Sequence, residues 1–293
     1  MLFLLSVGAH SDDGASSSTS PGAGEDGVRT EYLERTKLCI IGEAKRFPRS
    51  NLEGSMNTKA ACCWDCYRRA SMLEPLAARV FADNVPGDFM EAGVFKGGIA
   101  IFMTALLVAH DPYGKRTMWF ADSFSGLPPV DTAVNPRIDA LVAKENKRTK
   151  WVKGRFVAKL ATVQQHFAQC YRNETGEGQR FGGQRRARAL PGYFRDVLPG
   201  PVRTLALLRI DGDLYISIMD ALERLYDRLS VGGWVVFDDW KFDQARAAIT
   251  DFRERRGINA PLLFSNGTLD PMVYWRKPMM RRGGCLVTGT LCR

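Results

Sequence analysis

Residues 205–215 constrain the fold of this chain more than any other stretch. Leu205-Ala-Leu-Leu-Arg-Ile210 is a short, predominantly apolar run, as expected of a strand buried on both faces of a sheet. It ends in Asp211-Gly-Asp213, and a second run, Trp234-Val-Val-Phe237, ends in Asp238-Asp239. Strands of this kind belong to parallel sheets, whose carboxyl ends border the crevice where open α/β folds bind ligands. Four acids in one crevice repel one another and persist there when a hard cation or a cationic ligand neutralises them.

The remaining pattern supports the same architecture. Asp88–Ala92, Thr117–Ala121 and Ala187–Leu190 read as strands, with helices expected over Gly97–Ala109, Val157–Tyr171 and Gln244–Arg256. Ile218, Met219, Leu222, Leu225, Tyr226 and Leu229 form an apolar stripe at helical spacing, and Ser230-Val-Gly232-Gly233 is expected to cap that helix. Leu262–Phe264 and Met272–Trp275 suggest a closing antiparallel pair. Upstream, a helix is expected from near Glu31 and another over Cys62–Ala82, interrupted at Pro75. The alternation gives an α/β fold with a central, mostly parallel sheet flanked by helices. Residues 1–30 are expected to be disordered and 31–84 to form a helical lead-in. The core should span 85–277, with 278–293 a basic tail.

Composition narrows the function classes. Hydrophobic residues make up 45% and charged residues 25% of the chain, ordinary values for a globular protein. No apolar run reaches the roughly 20 residues of a membrane-spanning helix. Seven cysteines, odd in number and irregularly spaced, fit reduced thiols in a cytoplasmic setting, with a weak targeting segment at Met1–Val7 as the alternative. Cys63-Trp-Asp-Cys66 lacks a partner motif for zinc and reads as thiols on a buried helix face. The net charge is +9, and the densest basic stretch is Lys144–Lys159, with seven basic residues against Glu145. That stretch reads first as a solvated insertion; nucleic acid is not the expected partner.

Three further motifs carry chemistry. Glu91-Ala-Gly93-Val-Phe-Lys-Gly97-Gly98 is a glycine turn at a strand-to-helix junction, where backbone can approach a ligand closely. Glu91 disfavours an anionic pyrophosphate there and favours a ligand with a cationic end, such as S-adenosylmethionine. Asp122, at the end of the next strand and followed by Ser123, suits the ribose hydroxyls of an adenosine ligand; the alternative is a cap for its own Ser/Gly turn. Tyr193 and Phe194 follow the third strand, where the cofactor's methionine end or the substrate would pass, with a core role equally open.

In this order the motifs resemble the class I, Rossmann-like methyltransferases, and more narrowly the macrocin O-methyltransferase family. The match is carried by Val85–Gly98, Ala121–Pro128, Pro191–Pro199, Arg209–Tyr215, Leu229–Asp239 and Val273–Arg276. The resemblance implies S-adenosylmethionine and Mg²⁺ as cofactors, with Asp211, Asp238 and Asp239 as metal ligands. Its substrates imply a small hydroxyl-bearing acceptor, a sugar or polyol. Methyl transfer is then a direct displacement that needs placement and removal of the hydroxyl proton. Asp211, Asp213 and His166 are the candidate proton acceptors. The alternatives are a catechol-like O-methyltransferase, or an inactive cofactor-binding relative that binds an anionic partner through residues 144–188. Homo-oligomerisation is left open.

Overall fold

The structure, a computed structural model, describes residues 23–42, 66–129, 136–149, 152–171, 186–265 and 271–278. Seven strands form one sheet: β1 (Asp88–Ala92), β2 (Met118–Asp122), β3 (Ala187–Pro191), β4 (Leu205–Ile210), β5 (Leu229–Phe237), β6 (Leu263–Phe264) and β7 (Val273–Arg276). Their order is β3-β2-β1-β4-β5-β7-β6; β3 through β5 run parallel, and β7 pairs antiparallel with both β5 and β6. The sheet is therefore mostly parallel with the expected closing antiparallel pair. The strand order reverses at β1 and β4, which opens a crevice beyond their carboxyl ends.

Strand alternation divides the core into two layers. Phe89, Phe120, Leu207 and Val236 face α1 (Ala23–Ile40), α2 (Cys66–Ala82), α3 (Gly98–His110) and α5 (Leu160–Tyr171). Their neighbours Met90, Ala121, Leu208 and Val235 join the opposite layer. That layer includes α7 (Tyr215–Leu225) and α8 (Asp243–Arg255) and closes over the short helix α6 (Phe194–Val197). Every residue of β4 is buried, including Arg209. Helix α3 is buried from Gly98 through Val108, which explains its apolar character all round.

Five sequence expectations need correction. Helix α1 begins at Ala23, eight residues before Glu31, because its polar start is carried onto α3: Arg29 Nε donates to the Ala109 carbonyl at 3.1 Å. Residues 1–22 lie outside the described residues. Helix α2 continues through Pro75, held by the buried Leu73, Leu76 and Ala77 around it, so the loss of one backbone donor does not end it. The part of the expected helix before Cys66 lies outside the described residues. Helix α7 ends at Leu225, and Leu229 opens β5. Gly232, at φ +81°, thus lies in a strand that shifts register against β4 rather than capping a helix. An unforeseen helix, α4 (Pro136–Thr149), packs Ile138 and Val142 onto Ala247 of α8. Burying two such side chains contributes about 3–5 kcal/mol, enough to fix a helix that propensity alone left invisible.

The cysteines give the fifth correction. Cys39 and Cys170 are joined in a disulfide, linking the end of α1 to the end of α5, and Cys66 is disulfide-bonded as well. These three residues therefore do not support the reduced thiols expected from irregular spacing. Pairing across 131 residues is set by tertiary proximity, which spacing does not encode. The basic tail beyond residue 278 and the loop 172–185 lie outside the described residues.

Candidate active site

At the carboxyl ends of β1, β2, β4 and β5 lies a pocket of about 270 Å³. Gly93, Asp122, Ser123, Tyr193, Phe194, Asp211, Asp213 and Asp239 all line it, as do Arg69, Leu127, Arg155, Phe156, Lys241 and Phe242. Glu91, Gly97, Gly98, Asp238 and His166 do not.

The glycine turn forms the wall over β4. Gly93 has φ +93°, and a Cβ there would stand 1.7 Å from the Asp211 carbonyl oxygen, so no other residue fits. Gly97, at φ +92°, caps the start of α3, and a Cβ would meet Val163 of α5 at 2.7 Å. Asp122 stitches this turn to its own: Oδ2 accepts from the Val94 and Phe95 amides at 2.8 and 3.1 Å, and Oδ1 from Phe124 at 2.8 Å. The capping alternative is thus realised, while the same residue still forms pocket wall. Burial pushes its pKa up, against those three donors. The Ser123 hydroxyl donates to the Gly126 carbonyl at 2.7 Å and accepts from Ser125 at 3.0 Å, closing the turn.

Of the two doubled acids, only Asp238-Asp239 splits in space. Asp211, Asp213 and Asp239 each present an oxygen within 4.8 Å of the other two, and the Asp213 amide donates to Asp239 at 2.9 Å. Asp213 is held at φ +57°, a strained conformation for a non-glycine residue. Burial and the neighbouring Asp211 push its carboxyl up to about 8, partly offset by Lys241 and Arg155. Burial and the charges of Asp211, Asp213 and Asp238 raise Asp239 well above the usual range. Burial would raise Asp211 too, but the Arg209 and Arg69 guanidiniums hold it low. Three mutually repelling oxygen donors suit a hard cation such as Mg²⁺.

Asp238 takes a different course. Its side chain is fully buried, and Oδ2 accepts from both Arg209 and Arg69, while Oδ1 has no hydrogen-bond partner. Arg209 lies opposite Glu91 in the β1–β4 register and binds it, and also binds Asp211 at 2.9 Å. Burial pushes Glu91 up to about 8 despite the Arg209 charge, and its Oε2 is likewise without a partner. Glu91 therefore sits behind the pocket wall, paired to a protein cation. His166, a candidate base for which a packed role was the favoured reading, is buried on α5 with Nδ1 2.7 Å from the Lys96 carbonyl oxygen; it braces the glycine turn from behind.

Sequence reasoning missed Arg69, Arg209, Arg155 and Lys241. A lone arginine within the apolar β4 run was a usable signal, since a buried guanidinium demands acidic partners. Arg155 lay in the basic stretch already singled out, which did not mark it individually; Arg69 and Lys241 had no signal, as each arrives from a separate element.

Comparisons with known proteins agree with this geometry. The family model described as Macrocin-O-methyltransferase (TylF) matches residues 28–277. The chain is 40% identical over 211 residues to 8-demethyl-8-(2,3-dimethoxy-alpha-L-rhamnosyl)-tetracenomycin-C 4'-O-methyltransferase of Streptomyces olivaceus, covering 71% of this chain and 73% of that protein. It is 35% identical over 213 residues to mycinamicin III 3''-O-methyltransferase of Micromonospora griseorubida, covering 72% and 76%. Among solved structures, the O-methyltransferase NovP superposes with a TM-score of 0.65 at 29% identity, over 86% of this chain and all of that one. The chain belongs to the macrocin O-methyltransferase family, and its fold is the Rossmann-like fold of class I methyltransferases.

Proposed function

We propose that this macrocin-family O-methyltransferase moves the methyl group of S-adenosylmethionine to a sugar hydroxyl with the help of a divalent cation. The observation that carries this reading is the convergence of Asp211, Asp213 and Asp239 beside the glycine turn and Asp122 in one pocket. The relatives named above include enzymes whose names specify O-methylation on a rhamnosyl-bearing compound and on mycinamicin III, which supports a sugar acceptor.

In this reading Gly93 and the Val94–Phe95 backbone, fixed by Asp122, form the cofactor's bed, with Tyr193 and Phe194 along its side. Ribose contacts would fall to Asp122 and Ser123. Asp211 and Asp239 would hold the cation, and the unpartnered Asp238 Oδ1 is the further buried carboxylate oxygen at that end of β5. Mg²⁺, when bound, would orient the acceptor's oxygens and lower the pKa of a hydroxyl. Asp213, facing the same pocket, would receive the hydroxyl proton. Leu127, Phe156 and Phe242 would exclude water from the displacement.

The test is calorimetric titration of S-adenosylmethionine and of Mg²⁺ into wild type and the variants Asp239→Ala, Asp238→Asn and Asp213→Asn. Asp239→Ala is expected to abolish Mg²⁺ binding while cofactor binding survives. Asp213→Asn should keep Mg²⁺ and lose turnover by about 100-fold or more, the scale of a lost general base. Unchanged Mg²⁺ affinity in Asp239→Ala would overturn the ligand assignment, and wild type that binds no cofactor would overturn the whole reading.

A further inference from the structure

The basic insertion between β2 and β3 contributes directly to the pocket. Residues 152–157 form a strap across the Ser123–Leu127 turn: the Leu127 amide donates to the Arg155 carbonyl, and the Gly154 amide to the Leu127 carbonyl, both at 2.9 Å. The two backbones touch so closely that a Cβ on Gly126, at φ +84°, would lie 2.5 Å from the Gly154 carbonyl carbon. At the end of the strap, Phe156 is held at φ +59° and is 41% exposed, with its ring edge-on to Phe95 at 6.2 Å. An exposed phenyl ring in a left-handed conformation at a pocket rim is strain of the kind that accumulates at ligand sites.

The rim carries the same pairing twice. The Arg155 guanidinium stands over Phe156 at 4.7 Å, and Lys241, two residues past Asp239, stands over Phe242 at 4.9 Å. All four residues line the pocket, and both cations act electrostatically on Asp213 across it. Phenyl rings suit the C–H face of a pyranose, and cations beside them suit an anionic substituent on that ring. Lys144, in the same basic stretch, is engaged with Asp243 at 2.6 Å, so the stretch does not act as one polyanion-binding face.

We propose that the acceptor is an anionic sugar, one bearing a carboxylate or phosphate that Arg155 and Lys241 bind while Phe156 and Phe242 cover the ring. This rests on the methyltransferase reading above.

Binding is measured by calorimetry on the full chain loaded with S-adenosylhomocysteine and Mg²⁺, using two matched pairs of probes. One pair is methyl β-D-glucopyranoside and its uronate; the other is L-rhamnose and L-rhamnose 1-phosphate. The charged member is expected to bind at least about tenfold tighter in one pair, the scale of a charge-assisted hydrogen bond, and which pair responds separates carboxylate from phosphate. Arg155→Gln combined with Lys241→Gln should bring the charged-to-neutral ratio to about one. Arg137→Gln, a surface cation paired with Asp251, should leave the ratio as in wild type. Equal affinities within both pairs, including no binding of any probe, would overturn the proposal, as would a double variant that keeps the preference. Failure of S-adenosylhomocysteine itself to bind would instead bring down the methyltransferase reading beneath it.

Discussion

The carboxyl ends of β1, β4 and β5 and the helical layer made by α1, α2, α3 and α5 are built on opposite principles. At the strand ends, Glu91, Asp211 and Asp238 crowd around Arg209 and Arg69, Asp213 and Asp239 cluster with Asp211, and two buried carboxylate oxygens are without partners. In the helical layer, Leu73, Ala77, Val80 and most of α3 have no exposure at all, and a disulfide ties α1 to α5. One region accumulates electrostatic cost and backbone strain; the other supplies the packing that tolerates them. The site is therefore held against its own repulsion by a layer that reaches the pocket through Arg69 of α2.

The comparison breaks most sharply at Arg209. Arg209→Leu takes from Glu91 the cation it is paired with and leaves Asp238 with Arg69 alone, and should lower unfolding stability by about 3–5 kcal/mol in urea titrations. Adding Glu91→Gln to it should restore part of that loss, since the pair interacts directly; strict additivity would mean that the two side chains are not coupled.

Next comes the staple on the other side. Cys39→Ser with Cys170→Ser should cost about 2–4 kcal/mol by the same measurement. Because neither cysteine lines the pocket, S-adenosylmethionine affinity of the folded protein should change by less than about threefold. A larger loss of affinity would show that the disulfide also positions the glycine turn, which α5 braces through His166 and Val163.

The smallest effect is a pH dependence confined to the helical layer. His110, at the end of α3, stacks on Phe81 with ring centroids 5.0 Å apart, and burial lowers its pKa to about 4. The folded state thus prefers the neutral ring, while the unfolded chain binds the proton below about 6.5. Stability from this residue is present above that pH and is lost as the pH falls toward about 4. About 1–2 kcal/mol is expected after allowance for partial exposure. His110→Phe should remove this component from the stability–pH curve without altering its value at pH 8 by more than a few tenths.

Much of the scaffold was readable before any coordinates. Leu205–Ile210 matched β4 residue for residue, and Gly93, Asp122, Asp211, Asp213 and Asp239 all line one pocket at the carboxyl end of the sheet. Helix α4 escaped notice because its few apolar residues sit in a charged stretch, and only Ala247 and Tyr215 reveal the face they need. His166 could be placed on its helix from the sequence, but the phase that turns it to the Lys96 carbonyl could not. The split of Asp238 from Asp239 was in principle foreseeable. Consecutive residues along a strand point to opposite faces, so a doubled acid at a strand end divides its carboxylates between two environments.

What the sequence by itself determined is the order of elements and the chemistry at their ends. Both follow from local patterning, in which apolar period, glycine and acid placement act over a few neighbouring residues. What only the tertiary structure decided is which charges meet. Arg209 faces Glu91 through strand register, and Arg69 reaches Asp238 from α2 across 169 residues. Arg155 and Lys241 come to Asp213 from two different loops. Charge pairing in a protein interior depends on distance and desolvation, and neither is a property of position along the chain.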